Sequence, residues 1–258
     1  MHGTIYIGTS GWSYKAWGQS FYPAEIPQRE HFQFYATQFS TVEINATFYR
    51  LPQANTIAGW HQKAPPGFIF AVKGSRGITH YQRLNPGERS PDLFLERVNP
   101  LKEHLGPVLW QLPPNFAKNA ENMERLDQFL GRLPKGFYYA MEFRHPTWVD
   151  PEVHQILRNH QVANVSLSSE RMPMDLTLTA PFAYARFHGL AGGAAHDYTG
   201  EELQPWSLHL RKCAREGVDA YAYFNNDVNT RAPLNAATLI EMIGAAAARP
   251  KVEERRSA

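Results

Sequence analysis

"VEINATFYRLP" (residues 42–52) opens as a strand, with Val42, Ile44 and Ala46 alternating with Glu43, Asn45 and Thr47. Successive strand side chains point to opposite faces. The apolar set needs a cover, while a carboxylate and an amide share the other side. What that side meets depends on the sheet. With this segment taken as 41–47, seven others read as strands: residues 4–10, 68–74, 107–113, 137–144, 162–168, 182–189 and 219–226. Helical patterns follow most of them, at 27–39, 55–63, 91–104, 119–133, 151–159, 200–216 and 235–248. After the sixth strand stands only "SERMPMDLTLTAP" (169–181), so that helix is expected to be short or missing.

Eight strands alternating with helices in 258 residues is the arithmetic of a parallel barrel. A doubly wound sheet has fewer strands and a glycine-rich first turn. "IGTSGWSY" has neither the spacing nor the downstream acid of a dinucleotide fingerprint. The expectation is an α/β protein built as a single (β/α)8 TIM-like barrel, one domain over residues 1–250 with a frayed tail at 251–258. In such a barrel one strand face meets helices and the other points inside. The last inward residues line the C-terminal end, where sites are built. Val42 and Ile44 then face helices, and Glu43 and Asn45 face inward. The same alternation sends Lys73, Gln111, Glu142, Arg144, Arg186, His188, Tyr223 and Asn225 inside. Buried charge is costly unless paired, so this concentration of polar groups marks a site.

Composition bounds the partners. Hydrophobic residues are 43% and charged residues 19%, ordinary for a globular protein. A net charge of +2 gives no overall electrostatic case for nucleic acid and leaves only a local basic patch open. The lone cysteine, Cys213, sits in a helical apolar stripe and reads as core filler, leaving no disulfide and no thiolate cluster. The N-terminus enters a strand with no basic-then-apolar leader, and the apolar stretch at 243–248 is too short to span a bilayer. A soluble, cytoplasmic monomer is expected.

"IYIGTSGWSYKAW", "VEINATFYRLP", "FAVKGSRGITH", "LWQLPPNF", "YAMEFRHPTW", "YARFHG" and "YAYFNND" together resemble the YecE-like proteins, a domain family of unknown function. The match runs in order over nearly the whole chain. It implies a TIM-barrel-like fold and no established reaction. The shared polar positions that it implies are Glu43, Asn45, Lys73, Gln111, Glu142, Arg144, Arg186 and His188. One departure is "GLAGGAAHDY" (189–198), small and glycine-rich where relatives carry bulkier polar or aromatic residues before the matching Tyr198.

The residues support more than one chemistry. Two inward carboxylates, Glu43 and Glu142, suit glycoside hydrolysis if they lie ~5–5.5 Å apart for retention or ~6.5–9.5 Å for inversion. Alternatively, Glu43 pairs with Lys73 and Glu142 with Arg144 or Arg186, and both are structural. Lys73, Arg144, Arg186 and His188 put four potential cations at one rim, which fits a phosphate, a carboxylate or a nucleic-acid backbone. Gly189, Gly192 and Gly193 stand where barrels bind phosphate through backbone N–H groups, though a flexible loop also explains them. A desolvated Lys73 can form a Schiff base; a neighbouring Glu43 would instead favour its charged form. A divalent ion would need Glu142 with His188, and no paired-histidine spacing supports one, so neither metal nor cofactor is expected. His31, His61, His104, His154, His160 and His209 read as surface or satisfied helical histidines.

Trp12, Tyr14, Trp17, Tyr49, Tyr81, Trp148 and Tyr198 fall in loops at the same end, as a minicore or as stacking surfaces for sugars or bases. Trp12 and Tyr49, nearest the ends of the first two strands, are the better ligand candidates. The expected function is a metal-independent hydrolase or lyase acting on a polar anionic sugar- or nucleotide-like ligand. Glu142 would be the acid/base, Glu43 the second carboxylate and His188 the proton carrier. Trp12, Asn45, Tyr49, Lys73, Gln111, Arg144, Arg186, Tyr198 and Asn225 would bind the ligand. The alternative is a non-catalytic binding protein for a phosphorylated metabolite or a nucleic-acid end. A raised carboxyl pKa favours the enzyme; close Glu–Arg pairs favour the binder.

Overall fold

A computed structural model describes residues 2–18, 20–87 and 89–251, so the tail beyond 251 lies outside the described residues. Eight parallel strands are present: β1 (Ile5–Thr9), β2 (Thr41–Ile44), β3 (Ile69–Lys73), β4 (Leu105–Gln111), β5 (Tyr139–Glu142), β6 (Ala163–Ser169), β7 (Phe182–Gly189) and β8 (Asp219–Phe224). Their order is β1-β8-β7-β6-β5-β4-β3-β2, each hydrogen-bonded to the next. The helices between them are α1 (His31–Gln38), α2 (Ala46–Tyr49), α3 (Ala54–Lys63), α4 (Pro91–Val98), α5 (Ala120–Gly131), α6 (Pro151–Asn159), α7 (Gly200–Arg215) and α8 (Arg231–Ile243). The expected (β/α)8 barrel is therefore present.

Two apolar layers confirm the alternation. Val42, Ile44, Phe70, Val72, Trp110, Met141, Ala185 and Phe187 belong to the large core between strands and helices. Ala71, Leu109, Ala140, Leu167, Tyr184 and Tyr223 form a separate core inside the barrel. No helix follows β6. Its outward positions are accordingly polar: Asn164 bonds Asp175, and Ser168 accepts from the Tyr198 hydroxyl.

The barrel closes at a seam between β1 and β2, which meet through one bridge, Ser10 to Glu43, and a bond from Gly11 N to Glu43 O of 2.8 Å. Below it, the Tyr35 hydroxyl from α1 takes the place of a ladder bond. It accepts from Thr9 N at 3.0 Å and donates to Thr41 O at 3.0 Å. Gly8 allows this approach, because a Cβ there would stand 2.2 Å from Thr41 O.

Among the boundaries that differ from the sequence pattern, three have a local cause. β2 stops at Ile44 because the Thr47 hydroxyl lies 3.0 Å from Ile44 O and 2.6 Å from Lys73 O, turning the chain into α2. β5 covers only Tyr139–Glu142, leaving Arg144 beyond it. α8 begins at Arg231, earlier than position 235, since Pro233 sits in a first turn whose N–H groups have no intrahelical partner anyway.

The seam yields a test. Tyr35→Phe keeps the ring but leaves the buried Thr9 N–H and Thr41 C=O unpartnered. A loss of about 2 kcal/mol is expected in a urea titration. An unchanged midpoint would show that closure does not depend on the hydroxyl.

Candidate functional site

Arg186, fully buried on β7, lies between two fully buried carboxylates. Its Nη2 donates to Glu43 Oε1 at 2.7 Å, and its Nη1 donates to Glu142 Oε2. Glu43 also accepts from Ser10 Oγ at 2.7 Å and from the Tyr184 hydroxyl at 2.6 Å. Glu142 Oε1 accepts from Arg144 Nη1 at 2.9 Å. Burial alone would push the Glu142 carboxyl up, but the charges of Arg186 and Arg144 and the contact with His188 hold it well below the usual carboxylate range. The sequence supplies this layout by period-2 spacing: Tyr184, Arg186 and His188 share one face of β7.

His188 sits at the next level up. Asn225 Nδ2 lies 3.1 Å from its Nδ1, and its Nε2 is shared between Glu142 Oε1 at 3.2 Å and the Nη1 donors of Arg144 and Arg186 at 3.0 and 3.3 Å. Asn45 Nδ2 in turn reaches Asn225 Oδ1 at 3.5 Å. Burial lowers the His188 pKa to about 4 against the pull of Glu142, with Arg186 and Arg144 acting in the same direction as burial. The imidazole is thus neutral at physiological pH.

Lys73, at the end of β3, is the odd member. Its Nζ packs 4.2 Å from the centre of the Phe48 ring. Glu43 and Glu142 are both bonded to arginine. Among the described residues no carboxylate comes within ion-pairing range of the Lys73 amine. The alternative Glu43–Lys73 pair is not formed; Glu43 pairs with Arg186, whose forked guanidinium reaches both carboxylates from between them. Burial first, and Arg186 second, lower the Lys73 pKa to about 8.

The structure brings Glu43, Asn45, Lys73, Glu142, Arg144, Arg186, His188 and Asn225 into this cluster. Gln111, half-buried, stands opposite Glu142 in register. Asn45 is no longer in the strand, yet its side chain still reaches the site. Tyr49 is 65% exposed at the rim. Two ligand candidates are corrected. Trp12 packs against Phe32 and Trp60 at 5.3 and 5.7 Å in the strand–helix core, because the chain after β1 folds back over α1 and α3. Tyr198 is buried and spends its hydroxyl on Ser168 Oγ at 2.7 Å and Gly189 N at 3.0 Å, covering the side of β6 that has no helix. The glycines after β7 also have a local cause: a Cβ on Gly189 would stand 1.8 Å from Gly193 O.

Sequence reasoning missed Ser10 and Tyr184, the donors that hold Glu43, although Tyr184 lies two residues before Arg186 on the same face. It also missed Arg76, whose guanidinium lies 5.3 and 5.5 Å from the rings of Tyr49 and Tyr81 at the rim. That rim is semi-polar and solvent-facing, with Tyr81 64% exposed.

Fold and site together define a single-domain (β/α)8 barrel with a charged, arginine-centred mouth. The family model described as "Protein of unknown function DUF72" matches residues 6–257, and the chain belongs to that family. The UPF0759 protein YunF of Bacillus subtilis is 27% identical over 277 residues, covering 93% of this chain and 94% of YunF. The UPF0759 protein YecE of Escherichia coli is 33% identical over 142 residues, 55% of this chain and 49% of YecE. A crystal structure of a DUF72 family protein (TM1631) from Thermotoga maritima aligns with a TM-score of 0.85 at 28% identity, covering 93% of this chain and 99% of that one. One from Enterococcus faecalis (EF0366), at 22% identity and a TM-score of 0.81 over 97% of this chain and 99% of that one, shares the fold. Among the described residues no helix is long and apolar enough to cross a membrane.

Two predictions follow from the electrostatics. Glu142→Gln leaves Arg186 and Arg144 underpaired, so stability should fall by about 3–5 kcal/mol in a denaturant titration. A variant as stable as the parent would remove Glu142 from the scaffold. The second concerns pH. His188 titrates near 4 when folded and near ~6.5 when unfolded, so between these values the unfolded chain binds more protons. Stability therefore rises with pH across that window and is lost on acidification through it. His188→Gln should flatten this slope, while the drop from Glu142 at still lower pH persists. An unchanged slope would place the titration elsewhere.

Proposed function

We propose that the barrel mouth binds a small, polar, anionic carbonyl compound of the sugar-phosphate or keto-acid kind and reacts with it through Lys73, as a lyase does. The observation that carries this reading is a buried amine left without an acidic partner in a site whose two carboxylates are already bound to arginine. Two carboxylates face three cations there, Lys73, Arg144 and Arg186, so an excess positive charge awaits an anion. Arg144 is the more accessible of the two arginines, with 28% of its side chain exposed against 1% for Arg186. Asn45 Oδ1 is buried without a partner and offers an acceptor for a ligand hydroxyl.

The close Glu–Arg pairs and the lowered Glu142 pKa favour a binder over an enzyme that works through its carboxylates, so the lyase reading rests on Lys73, and hydrolysis by a carboxyl pair fits less well. It needs the sugar ring or a water between the two groups. Here the Arg186 guanidinium fills that space, and Glu142 is held ionised and unable to act as an acid at neutral pH. Desolvation and a neighbouring cation are the two devices that make a lysine nucleophilic. Lys73 has both, and the Glu43 carboxylate that would have opposed them is turned to Arg186. The neutral Nζ adds to the carbonyl carbon; the carbinolamine then loses its hydroxyl with an amine hydrogen as water, leaving an imine. Neutral His188, in the same cluster, would carry the proton.

The test is reductive trapping. Native protein is treated with borohydride in the presence of pyruvate or dihydroxyacetone phosphate, and the peptides are mapped by mass. A saturable adduct on Lys73, competed by inorganic phosphate and absent in Lys73→Arg, is expected. Labelling no greater than on surface lysines would overturn the imine. A phosphate-dependent rise in melting temperature, lost in Arg144→Ala, checks the anion site separately. Lys73→Met should also stabilise the fold at pH 7 by on the order of 2 kcal/mol. The amine titrates near 8 folded and near ~10.4 unfolded, so burying it protonated costs stability below the folded pKa. A destabilised Lys73→Met would mean that the amine is structural.

A further inference from the structure

We propose that His61, Glu103 and His104 form a binding site for a divalent transition-metal ion, tested first with Zn2+, at the end of the barrel opposite the mouth. His61 lies in the last turn of α3, which leads towards the start of β3. Glu103 and His104 end the 3-10 segment Asn99–His104, which leads into β4. Both elements therefore deliver these side chains at the N-terminal ends of the strands, away from Arg186 and Lys73.

The spacing is that of ligands around an ion rather than of hydrogen-bonded partners. His61 Nε2 is 3.6 Å from Glu103 Oε2, and His104 Nε2 is 3.9 Å from Glu103 Oε1. Neither separation is a hydrogen bond. One ligand atom from each residue fits within 4.8 Å of the others. Around tetrahedral zinc, with bonds of about 2.0–2.2 Å, ligand atoms stand about 3.4 Å apart, so small rotations of the exposed Glu103 side chain close the site. Each histidine is also prepared. His104, with only 7% of its side chain exposed, lies with Nδ1 2.7 Å from Phe68 O. Nδ1 must donate to that carbonyl, which leaves the Nε2 lone pair free towards Glu103. His61 Nε2 is buried with no hydrogen-bond partner. A plain surface ion pair explains neither feature and would be worth little. The backbone contributes too: Lys102 adopts φ 52°, ψ −122°, and this turn sets the adjacent Glu103 and His104 side chains towards His61. With three protein ligands and Glu103 68% exposed, the fourth position is open to water or to a ligand from solvent.

The experiment uses chelator-washed full-length protein, titrated with Zn2+ by calorimetry, with Mg2+ as control and Co2+ absorption as a report on ligand geometry. Binding of a single Zn2+ per chain, a raised melting temperature, and intense tetrahedral Co2+ bands are expected. His61→Ala and Glu103→Gln, both at partly exposed positions, should each weaken binding by more than about tenfold. His104→Gln should abolish it; because that change also touches the Phe68 contact, the first two variants decide the matter if His104→Gln misfolds. Zn2+ binding equal in parent and His61→Ala, or no binding beyond the Mg2+ level, would overturn the site.

Discussion

One guanidinium organises the mouth of this barrel. Arg186 is buried on β7 and bonded on one side to Glu43 of β2 and on the other to Glu142 of β5. Breaking one arm would leave a charge in a dry interior, where an unpaired ion is far more costly than a lost surface contact. The three strands are thereby tied across the lumen, in addition to their ladders. Ser10 and Tyr184 complete Glu43, and Arg144 and His188 complete Glu142. The seam between β1 and β2 needs such a tie, because backbone bonding there is thin and rests on the Tyr35 hydroxyl and one bridge.

This arrangement decides what the remaining polar groups can do. Acids committed to Arg186 cannot also neutralise Lys73, so the amine is left desolvated next to cations. Such a group is unfavourable for the fold and useful for binding or chemistry, the trade-off met at active sites. The chain Asn45–Asn225–His188–Glu142 works in the same direction. It holds the imidazole in the cluster, where burial keeps the ring uncharged, so the net positive charge at the mouth comes from the cations. Arg76 between Tyr49 and Tyr81 adds a cationic, aromatic edge outside it.

Much of this was legible in the sequence because a barrel strand obeys period 2 so strictly. Val42 and Glu43, or Phe187 and Arg186, could only face opposite ways once the parallel barrel was accepted. The missing sixth helix was legible in residues 169–181, which carry no helical pattern, and the polar outward positions Asn164, Ser166 and Ser168 agree with it. Pairings were less accessible. Which acid takes which cation depends on reach across the lumen, and alternation says nothing about that; hence Glu43 was matched to Lys73 on the neighbouring strand instead of Arg186 across the barrel. Loop aromatics were the weakest inference. Trp12 and Tyr198 share composition and position with Tyr49, but two of them fill gaps under loops and one faces water. The cluster at His61 and His104 was read as ordinary helical histidines because its members lie some forty positions apart in sequence and meet only through packing of α3 on the segment before β4.

The choice of arginine at position 186 is the step on which these features converge. A lysine there would present one point-like ammonium in place of two fork arms and would hold acids on opposite sides less well. An acid turned to Lys73 instead would favour its protonated form. The forked guanidinium avoids this by satisfying both acids with one residue. Its charge also falls on the Lys73 amine, pushing that pKa down alongside burial. The tie between β2, β5 and β7, the pairing of the two glutamates and the lack of an acidic partner for Lys73 thus follow from one side chain's shape.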